Sequence, residues 1–130
     1  MTLRLRQDQF IADMEMFDTW ADRFNHFIAL AEQLPPQCPE WLLPFRIKGC
    51  LSKTCFSAHL HHDVLQIKGW SNSPVTAGII VAMTGIFNNS TSDQLRTTPI
   101  DFHLRSGLIH NLTPMRSAAL NEMIRRINVL

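Results

Sequence analysis

The stretch TCFSAHLHHDVLQIK, residues 54–68, decides the fold. From Thr54 to Leu60, Phe56, Ala58 and Leu60 alternate with Cys55, Ser57 and His59, the period of two that sends successive side chains to opposite faces of a strand. Val64 to Lys68 resumes the extended pattern after His62 and Asp63. Two strands with so short a break between them predict an antiparallel β-hairpin.

On both sides the period changes to that of helices. Between Gln9 and Leu34, Phe10, Met14 and Phe17, then Phe24, Phe27, Ile28 and Ala31, recur at helical spacing, which predicts two helices with Asp18 as the cap between them. LPPQCPEWLLP, residues 34–44, holds four prolines in eleven residues. Proline lacks an amide donor and has a fixed φ, so this segment is expected to be an irregular connector into the hairpin. Downstream, Ser73-Pro74 and Thr113-Pro114 each offer a hydroxyl cap followed by proline at the first helical position. The first opens a helix through GIIVAMTGIF that is apolar nearly all round and is therefore expected to be central and buried. The second opens a helix with Leu120, Met123, Ile124 and Ile127 as its stripe and Arg125 and Arg126 outside. Asp101 to Asn111 is expected to add a short helix between them. Helices at both ends of one hairpin predict an α+β fold, a small antiparallel sheet with helices packed on one face.

Composition narrows what such a fold does. A chain of 130 residues with 45% hydrophobic content buries one core, so residues 1–130 are expected to form one domain. Twelve basic and eleven acidic residues leave a net charge of +1, without the basic footprint of a nucleic-acid binder. The longest apolar run is too short to span a bilayer, and no apolar run follows the N-terminal arginines as in an export signal. Three cysteines at irregular spacing make no disulfide framework, so a reducing, cytoplasmic compartment is expected.

The chemistry concentrates in IKGCLSKTC, residues 47–55. A zinc site wants four converging ligands, and Cys50 and Cys55 are spaced too widely for the usual knuckle. The nearby histidines help little, since on a strand His59 and His61 share a face, His62 points away, and Cys55 lies about 13 Å from His59 at ~3.3 Å per residue. No metal is expected. A redox pair of the C-x-x-C kind has neither the spacing nor the surroundings here, although a Cys50–Cys55 disulfide stays open. The third reading is one reactive thiol. Gly49 frees the backbone before Cys50, and Lys48 and Lys53 favour the nucleophilic thiolate. Cys38 is read as a small buried hydrophobe, and Cys55 either as another or as a second participant.

The order of several further elements resembles the SufE-like family, which includes the sulfur acceptors SufE and CsdE. The elements are Trp20 in an early helix, Leu34-Pro35, Gly49-Cys50-Leu51-Ser52, Gly69-Trp70-Ser71 leading to Gly78, and Leu112-Thr113-Pro114-Met115-Arg116-Ser117, and they cover the chain from about Trp20 to Ile127. The resemblance implies a SufE/NifU-like fold and a sulfur-transfer accessory role in iron–sulfur cluster assembly. Cys50 would take persulfide sulfur from a cysteine desulfurase of the SufS or CsdA kind, stimulating it, and pass the sulfur to a scaffold protein. It also implies that Gly49, Ser52 and Arg116 support the Cys50 loop, that no resident cofactor is needed beyond a transient cysteine persulfide, and that the chain is a monomer or homodimer. Where the family has valine and tryptophan after the serine, this chain has Thr54 and Cys55; where it has an acid after the glycine, it has Trp70; and Ala119 replaces a late glycine. Trp70 is expected to fill the space of the missing tryptophan. The alternatives are a scaffold that keeps the fold as a non-catalytic interaction domain that has lost sulfur transfer, or a small metal-binding protein.

Overall fold

The structure, a computed structural model that describes residues 1–49 and 51–130, begins with helices α1 (Leu3–Glu15) and α2 (Trp20–Leu30). A connector leads to strands β1 (Thr54–His61) and β2 (Val64–Ser71), which are followed by helix α3 (Pro74–Phe87). Short helices α4 (Ser92–Thr97), α5 (Phe102–Arg105) and α6 (Leu108–Asn111) then lead to the long helix α7 (Pro114–Asn128). The two strands pair antiparallel, with Thr54 opposite Ser71 and His61 opposite Val64. His62 and Asp63 turn the chain with φ of 49° and 65°. Two successive left-handed residues twist in the sense of the flanking strands, which suits the tightest hairpin connection. Helices around one small antiparallel sheet make this the expected α+β architecture.

The hairpin register sorts the core into two parts. Phe56 faces α3 and α7 with Ala58, Leu65 and Ile67, and this face joins Phe10, Phe27, Ile80, Met83, Phe87 and Leu120 in the main core. Two glycines let the layers close. A Cβ on Gly78 would sit 1.9 Å from the carbonyl oxygen of Phe27, so α2 and α3 cross backbone to backbone there. A Cβ on Gly69 would lie 2.8 Å from Ile80 Cγ2, in the space where α3 meets β2. As its sequence predicts, α3 is buried almost all round, from Val75 to Phe87.

The opposite face holds Cys55 directly across from Trp70. The proline connector covers it, with Leu42 buried beside them and Leu34 and Cys38 packed at the margin. Trp70 Nε1 donates to the Pro35 carbonyl at 2.8 Å, tying the connector to β2. The connector is not wholly irregular, because Glu40–Phe45 winds as a 3₁₀ segment that ends just after Pro44.

Four further expectations need correction. The first helix starts at Leu3, ahead of Gln9, with Thr2 accepting from the Leu5 amide. The cap of α2 is Thr19, which accepts from the Asp22 amide, not Asp18. Gly107, at φ 80°, divides the expected helix of Asp101 to Asn111 into α5 and α6. Arg126 is tucked against the sheet instead of lying outside, and Arg125 alone is exposed. A buried glutamine braces the N-terminal end, since Gln7 Oε1 accepts from the Asp101 and Phe102 amides while its Nε2 donates to Pro99 O.

Candidate functional site

Cys50, the expected sulfur acceptor, lies outside the described residues; the chain on either side of it is held firmly. The Ile47 amide donates to Thr54 O at 2.8 Å, and Arg46 bridges Cys55. Lys53 N donates to Asn72 Oδ1 and Asn72 N to Lys53 O, both at 3.1 Å. A loop is thus clamped at its base to both strands of the hairpin. Gly49 takes φ 84°, a backbone conformation that only glycine adopts readily, as expected for a residue that frees the chain before Cys50. Leu51 is 90% exposed, an apolar side chain presented to solvent.

Two cavities flank this loop, and both reach the start of α7. One, of about 500 Å³, is lined by Arg46, Lys48, Gly49, Met115, Glu122 and Arg126. The other, of about 210 Å³, is lined by Leu51, Ser52, Thr76, Thr113, Arg116 and Ala119, with Met115 common to both. Ser52 and Arg116 therefore share one cavity, and Gly49 opens on the other. The walls favour negative charge. Three basic side chains face one acid in the first cavity. In the second, residues from the first turns of two helices converge: Thr113 caps α7 by accepting the Arg116 amide, and Ser73 caps α3 by accepting the Thr76 amide. Helix N-termini carry partial positive charge that stabilises anions within about a turn. An anion held in either cavity would have basic side chains or helix ends around it.

Arg126 is the site residue that sequence reasoning missed. Its Nη1 donates to Phe45 O at 2.7 Å and to Phe56 O at 2.6 Å, which pins α7 to the end of the connector and to β1. Glu122 lies 3.9 Å from its Nε, and that i,i+4 pairing was the only trace visible in the sequence.

Cys55 is fully buried. Burial and the neighbouring Cys38 thiol push its thiol up to about 11, which keeps it protonated at neutral pH. Trp70 stands directly opposite Cys55, and its indole packs in the same small cluster on that face. His59 and His61 sit on the exposed end of β1, and His62 stands in the turn with its ring 4.2 Å from that of His61. Among the described residues no three His, Cys, Asp or Glu side chains come together as metal ligands, and no helix is long and apolar enough to cross a membrane.

Comparison with known proteins agrees with the fold. Residues 8–130 match the family model SufE, described as an Fe-S metabolism associated domain. An uncharacterized SufE-like protein of Rhizobium etli is 25% identical over 126 residues, covering 92% of this chain and 85% of its own. Another from Haemophilus influenzae is 25% identical over 123 residues, covering 92% and 98%. The solution structure of a hypothetical protein from Thermus thermophilus superposes with a TM-score of 0.69 at 16% identity, over 95% of this chain and 94% of that one, a likeness of fold.

Proposed function

Because the chain belongs to the SufE family of Fe-S metabolism associated domains, we propose that it carries sulfur on Cys50 between a cysteine desulfurase and an iron–sulfur scaffold. In the transfer step the Cys50 thiolate attacks the terminal sulfur of the partner's cysteine persulfide. The new S–S bond forms on Cys50, the partner's S–S bond breaks, and the partner's cysteine leaves as thiolate. Cys50 then carries the persulfide. The pyridoxal phosphate that releases sulfur from free cysteine belongs to the desulfurase, and this chain supplies only the thiol and its surroundings.

The observation that carries the reading is the pair of cavities on either side of the loop, one bordered by Arg46, Lys48 and Arg126, the other by Ser52 and Arg116. Anion-favouring walls lower the cost of holding both the attacking thiolate and the acquired persulfide. Gly49 supplies a left-handed turn immediately before Cys50, and hydrogen bonds from Ile47 to Thr54 and from Asn72 to Lys53 hold the base from which that segment is presented. In this reading Arg116 and Ser52 support the loop and do not react. The tucked Arg126 holds the wall of the other cavity, beside Arg46 and Lys48.

The test mixes the protein with a cysteine desulfurase and free cysteine and maps added sulfur by mass spectrometry. Trypsin isolates Cys50 in residues 49–53, apart from Cys38 and Cys55. The expected result is one dithiothreitol-labile sulfur on that peptide, lost in Cys50→Ser together with stimulation of the desulfurase. If Cys50→Ser gains labile sulfur and stimulates as wild type does, the assignment is wrong. Thiol reactivity gives a second reading: Cys50 is expected to alkylate well below the unperturbed thiol pKa of about 8.5, while Cys55 stays unmodified until the protein unfolds.

A further inference from the structure

Sulfur transfer uses one cysteine and leaves two others side by side. Cys55 projects from β1 onto the connector-covered face and is fully buried. Cys38 sits on the connector in the same small cluster, half-buried against Cys55, Leu42 and Trp70, and its Sγ donates to the Pro39 carbonyl at 3.5 Å. We propose that Cys38 and Cys55 form a dithiol site that a peroxide converts reversibly into a disulfide, fastening the proline connector to the base of the Cys50 loop.

The difference in exposure assigns the roles. An oxidant from solvent meets Cys38 first, because Cys55 has no exposed surface. The Cys38 thiolate attacks one peroxide oxygen, the O–O bond breaks, and Cys38 becomes a sulfenic acid as the other oxygen leaves and is protonated to water or alcohol. The Cys55 sulfur then attacks the sulfenic sulfur and displaces hydroxide, which departs as water with the Cys55 proton. Two thiols have given two electrons to the peroxide. Packing against Cys38 places the Cys55 sulfur next to the activated one for the second step, while burial keeps Cys55 protonated and out of the first. Without such a neighbour a sulfenic acid proceeds to sulfinic acid and is lost.

The position of the site gives the reaction a consequence. Cys55 is bridged to Arg46, and the next residue on each strand, Ile47 and Thr54, closes the Cys50 loop by its hydrogen bond. A bond from residue 38 to residue 55 makes a covalent ring of the whole segment that contains Trp41, Leu43, Phe45 and the loop. Those three side chains are exposed and apolar, on a connector otherwise held by the Trp70 to Pro35 hydrogen bond and the small cluster. Oxidation would therefore fix the connector and the loop base to each other without using Cys50.

The inference is independent of sulfur transfer, and the experiment keeps the two apart. Wild type and Cys50→Ser are treated in native buffer with a small excess of hydrogen peroxide, capped with N-ethylmaleimide, and digested with trypsin without reductant. The cut sites place Cys38 in residues 24–46, Cys50 in 49–53 and Cys55 in 54–68, so each possible disulfide has its own mass. The expected product in both proteins is 24–46 joined to 54–68, removed by dithiothreitol and absent in Cys38→Ser, where Cys55 remains an uncapped, unoxidised thiol until denaturation. The proposal is overturned if Cys38 goes on to sulfinic acid while Cys55 stays reduced, if both thiols survive the peroxide, or if the disulfide found joins Cys50 to either of them.

Discussion

The two faces of the hairpin are built on different principles. The face toward α3 and α7 joins a core of twenty buried apolar residues, closed by backbone contact at Gly78. The face under the connector buries Leu42, Cys55 and Trp70, with Leu34 and Cys38 at the margin. The first has many neighbours for each side chain, so its geometry is determined several times over. The second hangs on a few contacts, and the Cys50 loop grows from its edge. Dense packing on one side of the sheet thus supports a sparsely packed face on the other, and loops carried by a rigid scaffold are where binding and reactive segments are expected.

Substitutions on the two faces should therefore differ in size and in reach. Gly78→Ala is expected to cost the most, ~3 kcal/mol or more, because the new carbon meets the Phe27 backbone and not a movable side chain. Chemical denaturation should show the whole transition shifted, and an unchanged midpoint would mean that α2 and α3 are not locked together. Trp70→Ala comes next at about 2 kcal/mol, below the usual cost of a central aromatic because the connector can settle into the gap. Its signature is local: amide exchange and tryptic cleavage after Arg46 should quicken before global unfolding does. Arg126→Met follows at about 1.5 kcal/mol, since it leaves the Phe45 and Phe56 carbonyls without their charged donor. It should also raise the pH at which Cys50 alkylates, which loss of packing alone would not do. Trp70→Phe keeps most of the packing and loses the bond to Pro35, at ~1 kcal/mol in the same denaturation series.

Sequence reasoning recovered what depends on near neighbours along the chain. The hairpin and its turn at His62 and Asp63 were legible from alternation, and α3 and α7 from a hydroxyl followed by proline. What it missed falls into two kinds. Helix α4 buries no residue and so has no apolar period; only the capping box of Thr91 and Gln94 marked it. The start of α1 at Leu3 and the cap at Thr19 were hidden similarly, by arginines between the leucines and by an aspartate next to the true cap. The second kind is tertiary. Arg126 bonds carbonyls 70 and 81 residues away, and the contact of Cys38 with Cys55 spans the connector and the loop. No local pattern encodes such partners. The placing of Ser52 and Arg116 beside the loop was expected only through family likeness, and of the adjacent cluster of Arg46, Lys48 and Arg126 only Lys48 was expected.

The smallest expected effect contrasts the two faces by acid. His103 on α5 is buried, its Nδ1 has no hydrogen-bond partner among the described residues, and burial lowers its pKa below the ordinary 6.5 against the opposing pull of Asp101. The unfolded chain takes up a proton near 6.5 while the folded one does not, so unfolding binds protons in that window. Stability from this residue is full above about pH 6.5 and is lost as pH falls from there toward the lower folded value. In the connector-covered cluster the Cys55 thiol moves the opposite way, up to about 11 and out of that range. Mild acid is therefore expected to raise amide exchange in α5 and α6 before it does so in the connector. His103→Leu should flatten the stability profile just below the ordinary histidine value of about 6.5 and leave the profile above it unchanged. A variant that keeps the wild-type acid slope would locate the sensitivity elsewhere and remove this distinction between the faces.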